Sequence, residues 1–130
     1  KDAVSIEINS ENKEYQIVAD EIHFSNVIYN IIDNAIKYND SNPEIKINID
    51  DSGKEIKLEI IDNGIGIEPS ELNTIFDKFY RISTAKRNEV GGFGLGLFYV
   101  KRICTLHQWK ITIKNNQDSG VTVTVVIPKK

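Results

Sequence analysis

The stretch that most constrains this chain is Glu55 to Ile67, EIKLEIIDNGIGI. Ile56, Leu58 and Ile60 fall on one parity and Glu55, Lys57 and Glu59 on the other, the period of a strand with one buried face. Asp62 continues the buried parity, and neither lysine nor arginine stands beside it. A carboxylate aimed into a core costs several kcal/mol unless it finds donors, so something other than a neighbouring basic side chain must answer it. Asn63-Gly64-Ile65-Gly66 follows directly, a sequence that tolerates positive φ and lets a ligand approach the backbone. An inward acid at a strand end followed by two glycines suits recognition of a planar group with an N–H donor, such as adenine. The plainer alternative is a β-turn whose aspartate caps its own loop, and on this stretch alone that alternative is the stronger.

The length of 130 residues, with 40% hydrophobic and 27% charged side chains, describes one ordinary globular domain over residues 1–130. A formal net charge of −3 gives no footprint for nucleic acid or an anionic membrane. The single cysteine, Cys104, excludes an internal disulfide and fits a reducing compartment; its place in an apolar helical pattern describes a buried, inert thiol. No apolar run reaches the length of a membrane span, and KDAVSIEI lacks a signal-peptide core. The absence of methionine at the start suggests a piece of a longer protein.

Val4 to Asn9 and Tyr15 to Val18 read as two strands of an opening hairpin. Asp20 then stands as the N-cap of a helix from Glu21 to about Asn39. Val27, Ile28, Ile31, Ile32 and Ala35 share one side of it; Asn26, Asn30, Asp33, Asn34 and Lys37 gather opposite, with Asn34 and Tyr38 at the border. Asparagine competes for the helix backbone, so three on one stripe oppose local propensity, a conflict that marks functional sites. For Asn26 a plain solvated position is preferred. Glu44 to Asp50 and Lys54 to Asp62 form a second hairpin across Asp51-Ser52-Gly53. Pro69 and Ser70 open a short helix through about Phe76. From Asp77 to Gly92 periodicity dissolves into polar, charged and glycine residues, the pattern of a lid. Gly92, Gly94 and Gly96 lead into a helix where Leu95, Phe98, Tyr99, Ile103 and Leu106 can share a face, and such a glycine-led N-terminus offers bare N–H groups to an anion. Trp109 to Lys114 and Val121 to Ile127 make the last hairpin.

Three signals stand in one order: an asparagine-striped helix, an inward acid with two glycines, and a glycine loop at a helix start after a lid. Together they resemble the Bergerat ATP-binding fold of gyrase, heat-shock chaperone ATPases, mismatch-repair ATPases and sensor histidine kinases. The resemblance is closest to the catalytic and ATP-binding domain of histidine kinases. It is carried by NIIDNAIKY at Asn30 to Tyr38, DNGIGI at Asp62 to Ile67, IFDKFYR at Ile75 to Arg81 and GGFGLGL at Gly91 to Leu97.

The resemblance implies an α/β two-layer sandwich with a mixed, mostly antiparallel sheet, helices on one face, and a lid at about 77–92. It implies ATP and Mg2+ as cofactors, with Asn34 as the magnesium ligand, supported by Asn30 one turn earlier. Lys37 would face phosphate and Tyr38 the nucleotide. Asp62 would accept from the adenine amino group, with Gly64, Gly66 and Ile67 around the base. Gly92, Gly94, Leu95, Gly96 and Leu97 would lie against the phosphates and lid, and Phe76 and Phe79 would anchor that lid. Arg81 matches an arginine placed to stabilise charge on the transferring γ-phosphoryl group. Gyrase-like members carry a water-activating glutamate where this chain has Asn30, which cannot take a proton, so hydrolysis is disfavoured and a histidine nucleophile expected. His23 and His107 are read as structural or surface residues.

Departures from the family pattern are Phe93, where a small or hydroxylic residue is frequent, Gln108-Trp109 in place of a glycine pair, and Val121 where Thr or Ser is usual, with Thr122 as a deputy after a register change. The expected partners are a histidine-bearing dimerisation domain of the same parent chain, a homodimer, and a response regulator receiver domain, in the cytoplasm. The alternatives are a serine kinase of the anti-sigma type, a nucleotide-dependent interaction module without transfer, and an autonomous hydrolase.

Overall fold

In a computed structural model the described residues are 4–10, 16–17, 19–77 and 96–129. Strand β1 (Ser5–Ser10) precedes helix α1 (Glu21–Lys37), strands β2 (Glu44–Asp51) and β3 (Glu55–Asp62), a 3-10 turn (Pro69–Glu71), helix α2 (Gly96–Leu106), and strands β4 (Lys110–Asn115) and β5 (Val121–Pro128). The strands form one sheet in the order β1-β2-β3-β5-β4. All pairings are antiparallel except β1 with β2. One parity of each inner strand is buried: Ile45 and Ile47 of β2, Ile56, Leu58 and Ile60 of β3, and Val123, Val125 and Ile127 of β5. These pack in one core with Val27, Ile31 and Ala35 of α1 and Val100, Ile103 and Cys104 of α2, so both helices lie on the same face, as the sequence predicts.

Three expectations need correction. The chain does not pair β1 with a following strand in a hairpin: β1 runs parallel to β2, with Ile6 beside Ile45 and Ile8 beside Ile47, and Gln16 and Ile17 are not in a strand. A parallel pair needs a long crossover, which α1 supplies. Tyr15 and Val18 of that expected hairpin lie outside the described residues. The segment expected as a helix from Pro69 to Phe76 is a single 3-10 turn followed by further turns, tight enough to bury Ile75 without a regular helix. Leu106, expected on the buried face of α2, is 66% exposed, because Val100, Ile103 and Cys104 define the face that meets the core.

The end of α2 explains how the chain manages without the glycine pair. Gln108 N–H donates to the Thr105 carbonyl at 3.1 Å and Trp109 N–H to the Cys104 carbonyl at 2.8 Å, the paired bonds of a Schellman cap. Gln108 takes the left-handed position, φ 62. Trp109 is buried and stacks on His107 with ring centroids 4.5 Å apart. Left-handed backbone costs a residue with a Cβ ~1–2 kcal/mol, while glycine gives back ~0.4–1 kcal/mol through its freer unfolded chain. Gln108→Gly should therefore raise the melting temperature by roughly 2–4 °C, and a lower melting temperature in thermal unfolding would contradict this reading of the cap.

Candidate nucleotide site

The site grows from the end of β3. Asp62 continues the inward parity, lies only 8% exposed, and stands in register with Ile45 of β2. Its Oδ1 accepts two backbone donors, Gly64 N–H at 2.8 Å and Val121 N–H at 3.2 Å. No lysine, arginine or histidine is paired with it among the described residues. Burial pushes the Asp62 carboxyl above the ordinary carboxylate range, and the N–H groups of Gly64 and Val121 pull the other way without prevailing. The turn-capping alternative is thus half realised, through Gly64, and still leaves Oδ2 without a hydrogen bond among the described residues.

Around this acid the chain folds close. Ile65 N–H donates to the Tyr38 carbonyl at 3.0 Å, tying the loop to the end of α1. Asn63 Oδ1 accepts from Asn39 Nδ2 at 2.7 Å and from Glu44 N–H at 2.9 Å. A Cβ at Gly64 would run into the Tyr38 carbonyl oxygen, so glycine here answers a close backbone approach. Gly66, at φ 78, answers the left-handed turn.

A cleft opens beside Asp62. Asn34 and Ala35 of α1 with Tyr38 just past its end form one wall, Gly66 and Ile67 the floor, and Leu97 of α2 with Val121 and Val123 of β5 the far side. Ile67 and Ile75 make a small second core beneath it with Tyr38, Leu72, Phe76 and Leu97, and Lys101 Nζ lies 5.7 Å from the centre of the Phe76 ring. At the N-terminus of α2, a Cβ on Gly96 would stand 3.2 Å from Asn30 Oδ1 and 3.9 Å from Asn34 Nδ2. The first α2 residue and the asparagine stripe of α1 therefore meet. Asn30 turns its Nδ2 back to the Asn26 carbonyl at 2.7 Å, which leaves its Oδ1 toward Gly96. Asn26 itself is exposed, in keeping with its solvated reading.

Lys37 does not line the cleft; its Nζ pairs with Asp33 Oδ2 at 2.9 Å along the helix. Thr122 requires a correction. It lies in register with Ile61 and Lys114, on the parity opposite the cleft, and its hydroxyl donates to Asn116 Oδ1. Val121 forms the wall instead, so no hydroxyl deputises there. Phe79, Arg81, Gly92, Phe93, Gly94, Leu95 and nearly all of the expected lid lie outside the described residues.

Sequence reading missed the opposite rim. Gly120, at φ 79, packs so closely on Asp62 that a Cβ would stand 2.5 Å from Oδ1 and 2.7 Å from the backbone carbonyl carbon. Its only local signal is Ser119-Gly120 in a turn, which does not announce contact with a residue 58 positions earlier. For a metal, the described residues hold no cluster of three or more His, Cys, Asp or Glu. Asn34 on the cleft wall and Asn30, whose Oδ1 faces Gly96, are carboxamides of the kind that could serve a hard cation keeping most of its ligands from water and phosphate.

Residues 19–130 match the family described as Histidine kinase-, DNA gyrase B-, and HSP90-like ATPase. The chain is 40% identical over 114 residues to the sensor protein RprX of Bacteroides fragilis, covering 86% of this chain and 22% of RprX. It is 36% identical over 111 residues to the sensor protein CiaH of Streptococcus pneumoniae, covering 85% of this chain and 25% of CiaH. This chain thus spans about a quarter or less of these curated relatives. Among solved structures it resembles the mycobacterial sensor histidine kinase MprB (TM-score 0.85, 25% identity, 96% of this chain and 83% of that one). It also resembles the catalytic domain of the histidine kinase ThkA (TM-score 0.82, 26% identity, 97% and 80%). ThkA has in addition been solved in complex with the response regulator protein TrrA. An inward acid with no cation paired to it among the described residues, a cleft closed by a glycine-led helix, and these likenesses agree: the chain belongs to the histidine kinase-, DNA gyrase B- and HSP90-like ATPase family.

Proposed function

We propose that this domain binds Mg-ATP and presents its γ-phosphoryl group to a histidine on a dimerisation domain of the same parent protein, a homodimer that then passes phosphate to a response regulator. The observation that carries the nucleotide part is Asp62, a buried acceptor with no cation paired to it among the described residues, facing a cleft. An adenine amino group supplies the donor that the protein withholds. Ile67 and Leu97 offer apolar walls to the base, and Tyr38 stands at the α1 side. Asn34, with Asn30 behind it, would hold the metal, whose chemistry is to draw charge off the phosphates. Lys37 is one helical turn from Asp33 and would exchange that partner for phosphate. Arg81 would stabilise charge on the transferring group. Asn30 cannot remove a proton from water, which favours a neutral imidazole nucleophile over hydrolysis. Partner chemistry is supported by the likeness to ThkA, solved with its regulator. ATP supply and receiver domains put the site in the cytoplasm; among the described residues no helix is long and apolar enough to cross a membrane.

The test is transfer from γ-labelled ATP to the histidine-bearing domain of the parent. Acid-labile label is expected; acid-stable label would mean a serine kinase of the anti-sigma type, and steady phosphate release a hydrolase. Asn34→Ala should abolish transfer and the response to magnesium. A magnesium requirement equal to wild type would remove Asn34 from the metal site.

A further inference from the structure

Two consecutive asparagines, outside every motif that marks the site, hold both ends of the loop that carries Asp62. Asn115, the last residue of β4, closes its carboxamide on the backbone of Ile67. Its Oδ1 accepts from Ile67 N–H at 2.8 Å and its Nδ2 donates to the Ile67 carbonyl at 2.6 Å. Asn116 holds the other end: its Nδ2 donates to the Asp62 carbonyl at 2.9 Å and to the Ser119 carbonyl at 3.0 Å, while its Oδ1 accepts from the Thr122 hydroxyl. Asp62 and Ile67 both line the cleft. Between them lie Asn63-Gly64-Ile65-Gly66, and two glycines in four residues make this the freest kind of backbone.

An unclamped loop of that composition would spread the spacing between acid and apolar wall over many values, and a ligand would have to order it on binding. The clamp orders it beforehand. Gly66 fits the same device: a Cβ there would lie 3.2 Å from Asn115 Oδ1, so the carboxamide occupies the side that glycine leaves open. Asn115 also stands in register with Val121. The rung that grips Ile67 is therefore the rung that supplies the opposite wall of the cleft.

We infer that Asn115 is a positioning residue for the nucleotide: by satisfying both polar groups of Ile67 it fixes the base-binding shape of the loop, with Asn116 doing the same at Asp62. This rests on the nucleotide reading above. A purely structural bond pair would lower the folded fraction without changing the affinity of molecules that remain folded.

The two roles separate in Asn115→Ala, made in the 130-residue chain and followed by calorimetry with ADP, hydrogen exchange at the Ile67 amide, and thermal unfolding without ligand. The expected result is faster exchange at Ile67 and at least a tenfold rise in Kd, at a temperature where the variant is fully folded, with a more unfavourable binding entropy. A Kd within twofold of wild type while Ile67 exchanges faster would overturn the inference. So would a loss of affinity that appears only as the variant unfolds. Asn115→Asp covers the case in which alanine is not tolerated: it keeps the acceptor for Ile67 N–H, removes the donor to the carbonyl, and should raise Kd at least fivefold. An unchanged Kd there also overturns the inference. A wild-type chain that binds no ADP refutes the underlying nucleotide reading instead, so the two failures are distinguishable.

Discussion

Asp62→Asn is expected to abolish nucleotide binding and, at pH 7, to make the protein more stable. Asparagine keeps an oxygen for Gly64 N–H and Val121 N–H but turns a donor toward the base where an acceptor is needed. Loss of a charge-assisted hydrogen bond, with two donors left facing each other, is worth about 3 kcal/mol or more, at least a ~100-fold rise in Kd. Stability moves the other way because the carboxylate is buried and has no cation paired to it among the described residues. Its folded-state pKa is raised above the ordinary value of 3.8. Between those two values the native state holds more protons than the unfolded chain, so stability falls as pH rises through the window. The ionised acid is therefore a cost at neutral pH that the substitution would remove; about 1 kcal/mol corresponds to roughly 4 °C for a chain of this size. The difference in melting temperature between variant and wild type should shrink as pH falls toward the ordinary carboxylate range. Thermal unfolding at several pH values checks the sign, and a variant less stable than wild type at pH 7 would show that the acid has a partner this account lacks.

Gly120→Ala is expected to have a larger effect on folding than the same change at any other described glycine. Its φ of 79 is a left-handed value, and a Cβ would meet the Asp62 backbone as well as its side chain. Left-handed backbone costs ~1–2 kcal/mol in a residue with a side chain, and overpacking against a rigid neighbour adds ~1–3 kcal/mol. The sum, roughly 2–5 kcal/mol, is a large part of the ~5–15 kcal/mol of a typical domain. Because the obstruction is backbone, no rotamer change relieves it. Denaturant unfolding should show the loss, and molecules that do fold should bind nucleotide poorly since Asp62 is displaced. Near-native stability would mean that the β4–β5 turn can move away from β3, against the bonds of Asn116 and Val121 to Asp62.

Much of this was legible from local pattern. The parity that buries Ile56, Leu58 and Ile60 also aims Asp62 inward, and a strand of alternating residues can be read without knowing its neighbours. The N-cap at Asp20 is likewise local: its Oδ1 accepts from Ile22 N–H at 2.9 Å and His23 N–H at 3.1 Å. What failed depended on partners far along the chain. Ile6 and Ile8 show that β1 is a strand but not that β2, beyond a whole helix, is its parallel neighbour. The Thr122 deputy failed because one register step puts a side chain on the other face, and the register comes from pairing with Ile61 and Lys114. Asn115 continues the Ile111 and Ile113 parity of β4, yet its partner Ile67, like the Asp62 contacts of Asn116 and Gly120, follows only from β5 returning beside β3 with β4 at the edge. Asn34, which lines the cleft, is conspicuous in the sequence because asparagines on one stripe violate propensity on a helix that is otherwise regular.

Calorimetric titration of the wild-type chain with Mg-ATP and with Mg-GTP shows whether Asp62 reads the base. Adenine offers an amino group to the free oxygen of Asp62, whereas guanine presents a carbonyl oxygen at the equivalent ring position, so an acceptor would face an acceptor in a buried site. ATP is expected to bind, and GTP to bind at least ~100-fold more weakly. Equal affinity for the two nucleotides would contradict it, because the acid at the end of β3 would then not be reading the base.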